Sequence, residues 1–379
     1  SPWLHAWFDP VANLQAYSQC VRYADLQGNG DTNLLVATLN KKLKVFRGTQ
    51  LQSEHALLDT PVALCAFYTD NNTPRTPAIA VAGGPYVFIY RNLRPYFKFT
   101  LPQVEIHTTE LEVWADLKRG SIDAAQAYDL LSTCRDGGTT LSSRSQDLLA
   151  IEDPEAREEF VATMSNVTMK QQTVITCMET LNKNMEGDQA VSSLVIGTEN
   201  KEVLILNPAG STILCRCQLA AVPVFMAVTG TFEVEYRIAV ACRDGNVYTI
   251  KGGEVTSGVI ELESQPCGLV RIGKSVLVAT MDKSIHSFHI KGKKEFTLTM
   301  PSQITSLSLL RLRRARVTSA LLVGLANGEV RVYNNKALAS TLDVGDPVMS
   351  MVYGPYGRED NTLAVLTKTV CAWAHPPPF

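Results

Sequence analysis

The stretch Leu34-Leu-Val-Ala-Thr-Leu-Asn-Lys-Lys-Leu-Lys-Val-Phe-Arg-Gly48 decides how the rest of the chain is read. An apolar run ends in a small residue, a tight polar turn follows, and a second run alternates apolar and polar, which is a β-hairpin signature. The same pattern returns as AIAVAGGPYVFIYRN from Ala78, SLVIGTENKEVLILNP from Ser193, RIAVACRDGNVYTIKG from Arg237, SVLVATMDKSIHSFHIKG from Ser275, ALLVGLANGEVRVYNN from Ala320 and TLAVLTKTVCAWAHPP from Thr362. Asp244-Gly245 and Asn327-Gly328 are the strongest turn signals, because a two-residue hairpin turn takes positive φ at both central positions.

With the apolar residue before the small one as marker (Val36, Val81, Ile196, Val240, Val278, Val323, Val365), the gaps are 45, 115, 44, 38, 45 and 42 residues. That is the period of a four-stranded propeller blade with one interruption. Further strand-like runs lie between hairpins, such as Val62 to Tyr68 and Tyr96 to Leu101, or Phe296 to Met300 and Ile304 to Leu310. Stacking the sheets around an axis buries both faces of each, at roughly 1.5–3 kcal/mol per buried Val, Leu or Ile, whereas an open array leaves edges unpaired. The expectation is an all-β, seven-bladed β-propeller. The last repeat starts its inner strand at Pro347 and lacks a clear fourth strand, while Trp3 to Phe8 precedes the first inner strand at Cys20 to Asp25. The N-terminal segment is therefore expected to close the ring as the outer strand of blade seven; the alternative is a frayed N-terminus.

The long gap places an insertion of about 70 residues between blades two and three, roughly Gln103 to Gln172, where the pattern turns helical. Expected segments are 1–102 for blades one and two with the closing strand, 103–172 for the helical insertion, and 173–379 for blades three to seven. Thr109 with Glu112 fits a capping box ahead of Leu111, Trp114 and Leu117. Ser121 can cap a second helix with Ile122, Ala125, Tyr128 and Leu131, and Asp153-Pro154 reads as N-cap plus N1 proline of a third, carrying Phe160 and Met164. Gly137-Gly138-Thr139-Thr140 reads as a mobile connector. The insertion is either a buttress over the propeller or a partner-binding arm.

Composition narrows function. With 45% hydrophobic and 19% charged residues the chain carries a sizeable core, and a net charge of −2 lacks the basic excess that nucleic acid demands. Nine scattered cysteines form no CxxC pair and read as small apolar residues of a reducing compartment. No long uncharged apolar stretch or signal-peptide start is present, which points to a cytosolic protein without a transmembrane segment. Six histidines are sparse, and His286 and His289 point to opposite faces of one strand. No catalytic or cofactor motif occurs. The loop Asp25-Leu-Gln-Gly-Asn-Gly-Asp31 is similar to a calcium loop, but Gln27, Asn29 and Asn33 stand where acids would carry charge, which leaves Asp25 as a weak metal candidate and a polar loop as the preferred reading. Lys41-Lys42-Leu-Lys44, Lys291-Gly-Lys293-Lys294 and Arg311-Leu-Arg313-Arg314-Ala-Arg316 read as solvated edge charge. The four tryptophans do not recur per blade, unlike a WD40 propeller.

The segments Asn92-Leu-Arg-Pro-Tyr-Phe-Lys-Phe99, Gln172-Thr-Val-Ile-Thr176, Gly197-Thr-Glu-Asn-Lys-Glu202, Gly324-Leu-Ala-Asn-Gly-Glu-Val-Arg331 and Tyr356-Gly-Arg-Glu-Asp-Asn-Thr-Leu363 carry a specific likeness. With them the chain, over nearly its whole length, resembles the N-terminal propeller of Bardet-Biedl syndrome 1 proteins. The resemblance implies a subunit of the BBSome, a coat-like complex that carries ciliary membrane-protein cargo and is recruited by a GTP-bound Arf-like small GTPase. It further implies a cytoplasmic protein at the cilium, the ciliary base and, peripherally, the ciliary membrane. In that family the propeller docks the GTPase through its first and last blades, which ring closure makes neighbours. Their inner-strand loops run here from Leu26 to Asn33 and from Gly354 to Asn361. Tyr356, Arg358, Glu359 and Asp360 match the family segment, while Pro355 departs from the basic residue expected there. Arg331, Tyr333 and Lys336, with Lys42 and Arg47 of blade one, are looser partner-binding candidates, and each could instead be an ordinary solvated residue. The family's region C-terminal to the propeller is not in this sequence, so the chain is expected to be one domain of a longer protein.

Two further functions compete. An enzyme of the propeller-mouth kind would place acids and arginines on inner strands, which instead read as apolar in Val62-Ala-Leu-Cys-Ala-Phe67, Val224-Phe-Met-Ala-Val228 and Val348-Met-Ser-Met-Val352. A weak membrane-lipid binder would need one contiguous basic face. A purely structural propeller contacting other BBSome subunits is the remaining alternative.

Overall fold

The stretch from Leu34 to Gly48 folds as two antiparallel strands, Asn33–Thr38 and Lys42–Arg47. Val21–Ala24 pairs on one side and Gln50–Ala56 on the other, completing sheet I. The computed structural model describes residues 3–313, 317–369 and 371–375; Arg314 and Arg316 of the basic run noted above lie outside the described residues. Sheet II is Pro61–Phe67, Ala78–Gly83, Tyr86–Arg91 and Arg94–Thr100. Sheet III has nine strands. One group is Ile175–Asn182, Ser192–Thr198, Glu202–Leu206 and Ile213–Gln218; the other is Pro223–Thr231, Glu235–Cys242 and Asn246–Lys251 with the short Glu254–Val255 and Ile260–Glu261. The groups meet through a parallel pairing at Asn182 and Thr231. Sheet IV is Pro266–Ile272, Ser275–Thr280, Ser284–His289 and Lys294–Thr299; sheet V is Ile304–Arg313, Val317–Leu325, Glu329–Asn334 and Ala337–Asp343. Sheet VI joins both ends of the chain, in the order Leu4–Asp9, Cys371–His375, Glu359–Thr367, Val348–Tyr356.

The first strands of these groups touch in a cycle. Val21–Ala24 lies against Pro61–Phe67, and the contacts run on through Ile175–Asn182, Pro223–Thr231, Pro266–Ile272, Ile304–Arg313 and Val348–Tyr356 back to Val21–Ala24. The fold is all-β and propeller-like. Sandwiching explains the apolar runs: every residue of Asn33–Thr38, Ala78–Gly83 and Ser192–Thr198 is buried, whereas Gln50–Ala56 is exposed or half-buried throughout. It also explains the small residue that ends several of them. A Cβ on Gly197 would lie 2.8 Å from Pro223, and one on Gly324 2.7 Å from Val348, each on the next first strand.

The hairpin turns differ from the sequence expectation. Only Gly245 and Gly328 have positive φ, not Asp244 or Asn327. Gly245 N–H donates to the Cys242 carbonyl at 3.1 Å and Gly328 N–H to Leu325 at 3.2 Å, so each turn has four residues with glycine in the left-handed position. Asp244 and Asn327 serve through their side chains, accepting from Asn246 N–H at 3.0 Å and Glu329 N–H at 3.2 Å.

The first strands are not uniformly apolar. Arg22 of sheet I meets Glu179 of sheet III at 3.3 Å, and in the turn before that strand Gln19 donates to the Val224 carbonyl at 3.1 Å. Burial raises the Glu179 carboxyl against the opposing pull of Arg22. Nearby, burial pushes the Cys20 and Cys177 thiols up to about 12; all nine cysteines are free.

Leu101–Thr173 forms a compact unit of its own, apart from the unit formed by Ser1–Thr100 and Val174–Phe379. This segment holds four helices: α1 Thr108–Arg119, α2 Ala124–Asp136, α3 Ser143–Ala150 and α4 Pro154–Met164. Trp114, Leu117, Leu131 and Leu148 share its core. The Thr109 capping box does not form, because α1 begins at Thr108 after His107 with no side-chain cap, and Leu111 is exposed. Asp123, rather than Ser121, caps α2, in a capping box with Gln126, and Ala125 faces solvent. Asp153 caps α4 with Pro154 at its start. Helix α3, absent from the sequence reading, starts on a buried carboxylate: Glu110 accepts from the Ser142 N–H at 3.1 Å and from the Ser142 and Ser145 hydroxyls. No helix of the described residues is long and apolar enough to cross a membrane.

Candidate docking surface

In an up-and-down sheet the turn joining strands one and two and the turn joining three and four open on the same side. Here that side carries Asp25–Thr32 and Gly48 of sheet I and Gly357-Arg358 of sheet VI. The expected loop from Gly354 to Asn361 is narrower than the sequence suggests, since Tyr356 pairs with Glu359 and a bulge between Gly354 and Tyr356 absorbs the irregularity. Likewise Asn33 already belongs to a strand.

The two turns are one structure. Thr32 N–H donates to the Gly357 carbonyl and Gly357 N–H to the Thr32 carbonyl, both at 2.9 Å. Beneath this bridge the Tyr356 ring stacks on Tyr23 with centroids 5.3 Å apart and planes at 21°. The Tyr356 hydroxyl donates to the Gly48 carbonyl at 2.6 Å. Burial raises both phenols above their ordinary range, so they remain neutral hydrogen-bond donors. Arg47 donates through Nε to Asp31 Oδ2 at 2.8 Å, tying the third turn of sheet I to its first.

Asp25 turns inward. Its carboxylate accepts from Asn29 N–H at 3.2 Å and Gly30 N–H at 2.7 Å, holding the loop as a polar turn. Among the described residues no group of three or more His, Cys, Asp or Glu side chains is placed to hold a metal. The loop rests on sheet II: at Gly28, with φ +66°, a Cβ would stand 2.6 Å from the Arg75 carbonyl oxygen. Arg75 in turn donates to the Gln189 carbonyl of sheet III.

The sequence candidates separate on this frame. Arg47, Arg358, Glu359 and Asp360 are exposed at the joined turns. Tyr356 is 6% exposed, with its ring and hydroxyl engaged inside, so it positions the turn rather than presenting a surface. Lys42 stands at the far end of its strand from Arg47, paired with Glu54 at 2.5 Å. Arg331, Tyr333 and Lys336 belong to sheet V. There Arg331 pairs with Glu329 at 2.8 Å, the Tyr333 hydroxyl meets Met300 Sδ at 3.7 Å, and Lys336 Nζ lies 5.4 Å from the Phe296 ring centroid. Sequence reasoning missed Tyr23 and Gly48 and took Gly28 and Asp31 only as members of a polar loop; their importance arises from contacts between distant segments, and the glycines themselves, which adopt positive φ here, were the available signal.

The comparisons with known proteins agree with this architecture. The sequence model of the family described as "Ciliary BBSome complex subunit 1" matches residues 3–251. The chain is 43% identical over 375 residues to the human "BBSome complex member BBS1" and 42% identical to the mouse protein of that name, covering 97% of this chain and 63% of each relative. It thus spans somewhat less than two thirds of those relatives' length. Two crystal structures of BBS1N in complex with ARL6DN, soaked with mercury and with lead, superpose with TM-scores of 0.82 and 0.81 at 39% and 38% identity, over 100% of this chain and 98% of theirs. By sequence and by fold, this chain belongs to the ciliary BBSome complex subunit 1 family.

Proposed function

We propose that the chain is a non-enzymatic docking domain of a BBSome subunit, and that the joined turns of sheets I and VI receive a GTP-bound Arf-like small GTPase. The observation that carries this reading is the two-way backbone bridge between Thr32 and Gly357, which makes two distant segments one surface edged by exposed Arg47, Arg358, Glu359 and Asp360. The BBS1N structures that this chain resembles are complexes with ARL6DN, which supports the same class of partner. Two adjacent sheets can furnish the roughly 1,200–2,000 Å² of total buried surface that a standard interface needs. GTPase switch segments are ordered by the γ-phosphate, so a surface fitted to them distinguishes the nucleotide states.

The architecture proposed to hold this surface is a seven-bladed ring. Sheet III counts as two blades, because its two groups each contribute a first strand to the cycle and share only the Asn182 and Thr231 pairing. Leu4–Asp9, paired with Cys371–His375, is the closing strand. The helices of residues 103–172 are an insertion between blades two and three, with 1–102 and 173–379 forming the ring. In the cell the domain would act with other BBSome subunits in carrying ciliary membrane proteins, in the cytoplasm, at the ciliary base and peripherally on the ciliary membrane.

The test is calorimetric titration with the cognate Arf-like GTPase, loaded in parallel with GDP and a non-hydrolysable GTP analogue. Binding confined to the GTP form, weakened at least about tenfold (about 1.4 kcal/mol) by Arg358→Glu with the circular dichroism spectrum unchanged, is expected. Equal binding in both forms would remove the switch-dependent reading. No binding in either form would leave a structural propeller whose partners are the other subunits.

A further inference from the structure

Sheets IV and V part where sheets I and VI are knitted together. Between them lies a cleft of about 380 Å³, within the range of roughly 300–1,000 Å³ in which proteins hold ligands and anchoring side chains. Its floor is apolar, with Leu277 and Leu321 buried at the bottom and Phe296 on one wall. Lys336 reaches over from sheet V toward the Phe296 ring. Glu295 also lines the cleft, accepting from the buried Ser287 hydroxyl at 2.8 Å; hydrogen bonds from Ser275 and Ser287 hold its carboxyl below the usual range.

Lys336 lines the cleft, and further lysines stand on the turns of sheet IV beside it. Lys274 occupies the first turn of sheet IV, Lys291 and Lys293 the third, and Lys294 opens the strand after it; Ile290 N–H donates to the Lys274 carbonyl at 2.8 Å, which places the two turns side by side. Together with Lys336 these lysines are exposed, and among the described residues none of them forms an ion pair. Glu295 is engaged by serine hydroxyls within the cleft, so the lysines outside it present a net positive edge that attracts an oppositely charged partner.

We propose that this cleft docks an acidic peptide segment of a partner protein, taking one large apolar side chain onto the Leu277, Leu321 and Phe296 floor while flanking carboxylates lie on the lysine rim. The alternative source of negative charge, an anionic membrane surface, fits less well. The apolar surface is recessed rather than projecting, and Glu295 inside the cleft would repel an entering phosphate. Aliphatic and aromatic side chains meet no such penalty, since the Glu295 carboxylate is already hydrogen bonded. The site stands apart from the proposed GTPase surface, because it uses sheets IV and V and none of the joined turns.

The test uses fluorescence anisotropy with a fluorescein-labelled library of acidic nonapeptides varied at the central position, alongside pelleting with phosphatidylcholine vesicles containing phosphatidylserine. Peptides with a large apolar centre are expected to bind at least tenfold more tightly than those with a central Ala or Ser. Combined Lys291→Glu, Lys293→Glu and Lys294→Glu should weaken binding at least tenfold. Ser319→Trp, which fills the cleft and leaves the rim intact, should erase the preference for an apolar centre while keeping the salt-sensitive component. A library in which no centre is preferred would overturn the proposal. So would lysine-dependent vesicle pelleting without peptide binding, which would assign the patch to a membrane. Thermal melts of each variant identify any that fail to fold, and for those the peptide preference of single Lys293→Glu decides.

Discussion

The junction of sheets I and VI and the junction of sheets IV and V solve the same packing problem in opposite ways. At the first, one core cluster takes in Leu34 and Val36 from sheet I and Tyr356, Ala364, Leu366 and Cys371 from sheet VI, and the turns above it are bridged by backbone. At the second, Leu277 and Leu321 pack in a shared cluster, but the turn side opens into the cleft. Chain connectivity accounts for the contrast. Thr299 of sheet IV and Ile304 of sheet V are joined by a short link, so their association loses little entropy and tolerates imperfect filling. Sheet VI is assembled from both ends of the chain, and its approach to sheet I closes the cycle. Non-local closure of that kind needs tighter contacts to offset its larger entropy cost.

Two tyrosines make the contrast measurable. Tyr356 and Tyr333 are equally buried at 6%, yet Tyr356 is stacked and donates to a carbonyl, while Tyr333 borders the cleft and donates to a thioether. Tyr356→Ala should cost about 4 kcal/mol in urea unfolding, within the range for buried aromatic truncation. Tyr333→Ala should cost about 2 kcal/mol, because its site already opens toward solvent and leaves less of a dry void. Equal losses would break the comparison. A comparable effect is expected from adding rather than removing atoms. Gly28→Ala must place a Cβ 2.6 Å from the Arg75 carbonyl oxygen at positive φ, and a loss of about 2 kcal/mol is expected. Ser319→Leu at the cleft should change stability by less than about 0.5 kcal/mol, as read from the same unfolding curves.

Much of the fold was legible because burial on both faces writes itself into sequence: Leu34-Leu-Val-Ala37 and Ala78-Ile-Ala-Val-Ala82 could hardly be anything but inner hairpin strands. The turns were legible as turns but not as types, since Asp244 and Asn327 satisfy neighbouring amides with their side chains instead of adopting positive φ. The Asp153-Pro154 helix start was read correctly, whereas the other two failed for a related reason: Thr109 and Ser121 have cap chemistry, but the buried Glu110 and the Asp123 and Gln126 pair fixed the helix positions. The segments of the candidate surface were visible in sequence, whereas their bonding was not. Nothing in Gly357 or Thr32 alone announces a backbone bridge between residues more than three hundred positions apart. Tyr356 shows the limit most clearly, because a residue matched by resemblance to a docking segment turned out to be internal.

A last pair of substitutions tests where the two junctions should agree. Ser306 of sheet V and Ser350 of sheet VI follow the same bulge in their first strands, and both hydroxyls are buried without a hydrogen-bond partner. A buried hydroxyl lacking a partner contributes nothing that alanine would lose, and its desolvation opposes folding by roughly 1–3 kcal/mol. Ser306→Ala and Ser350→Ala are each expected to be neutral or stabilising by up to about 1 kcal/mol in thermal and urea unfolding. Because the two positions are equivalent in their sheets, a difference between them reads the junctions directly. A loss above about 1 kcal/mol for Ser350→Ala alone would mean that its hydroxyl is bonded in solution, adding a polar tie to the closing sheet that its neighbour lacks.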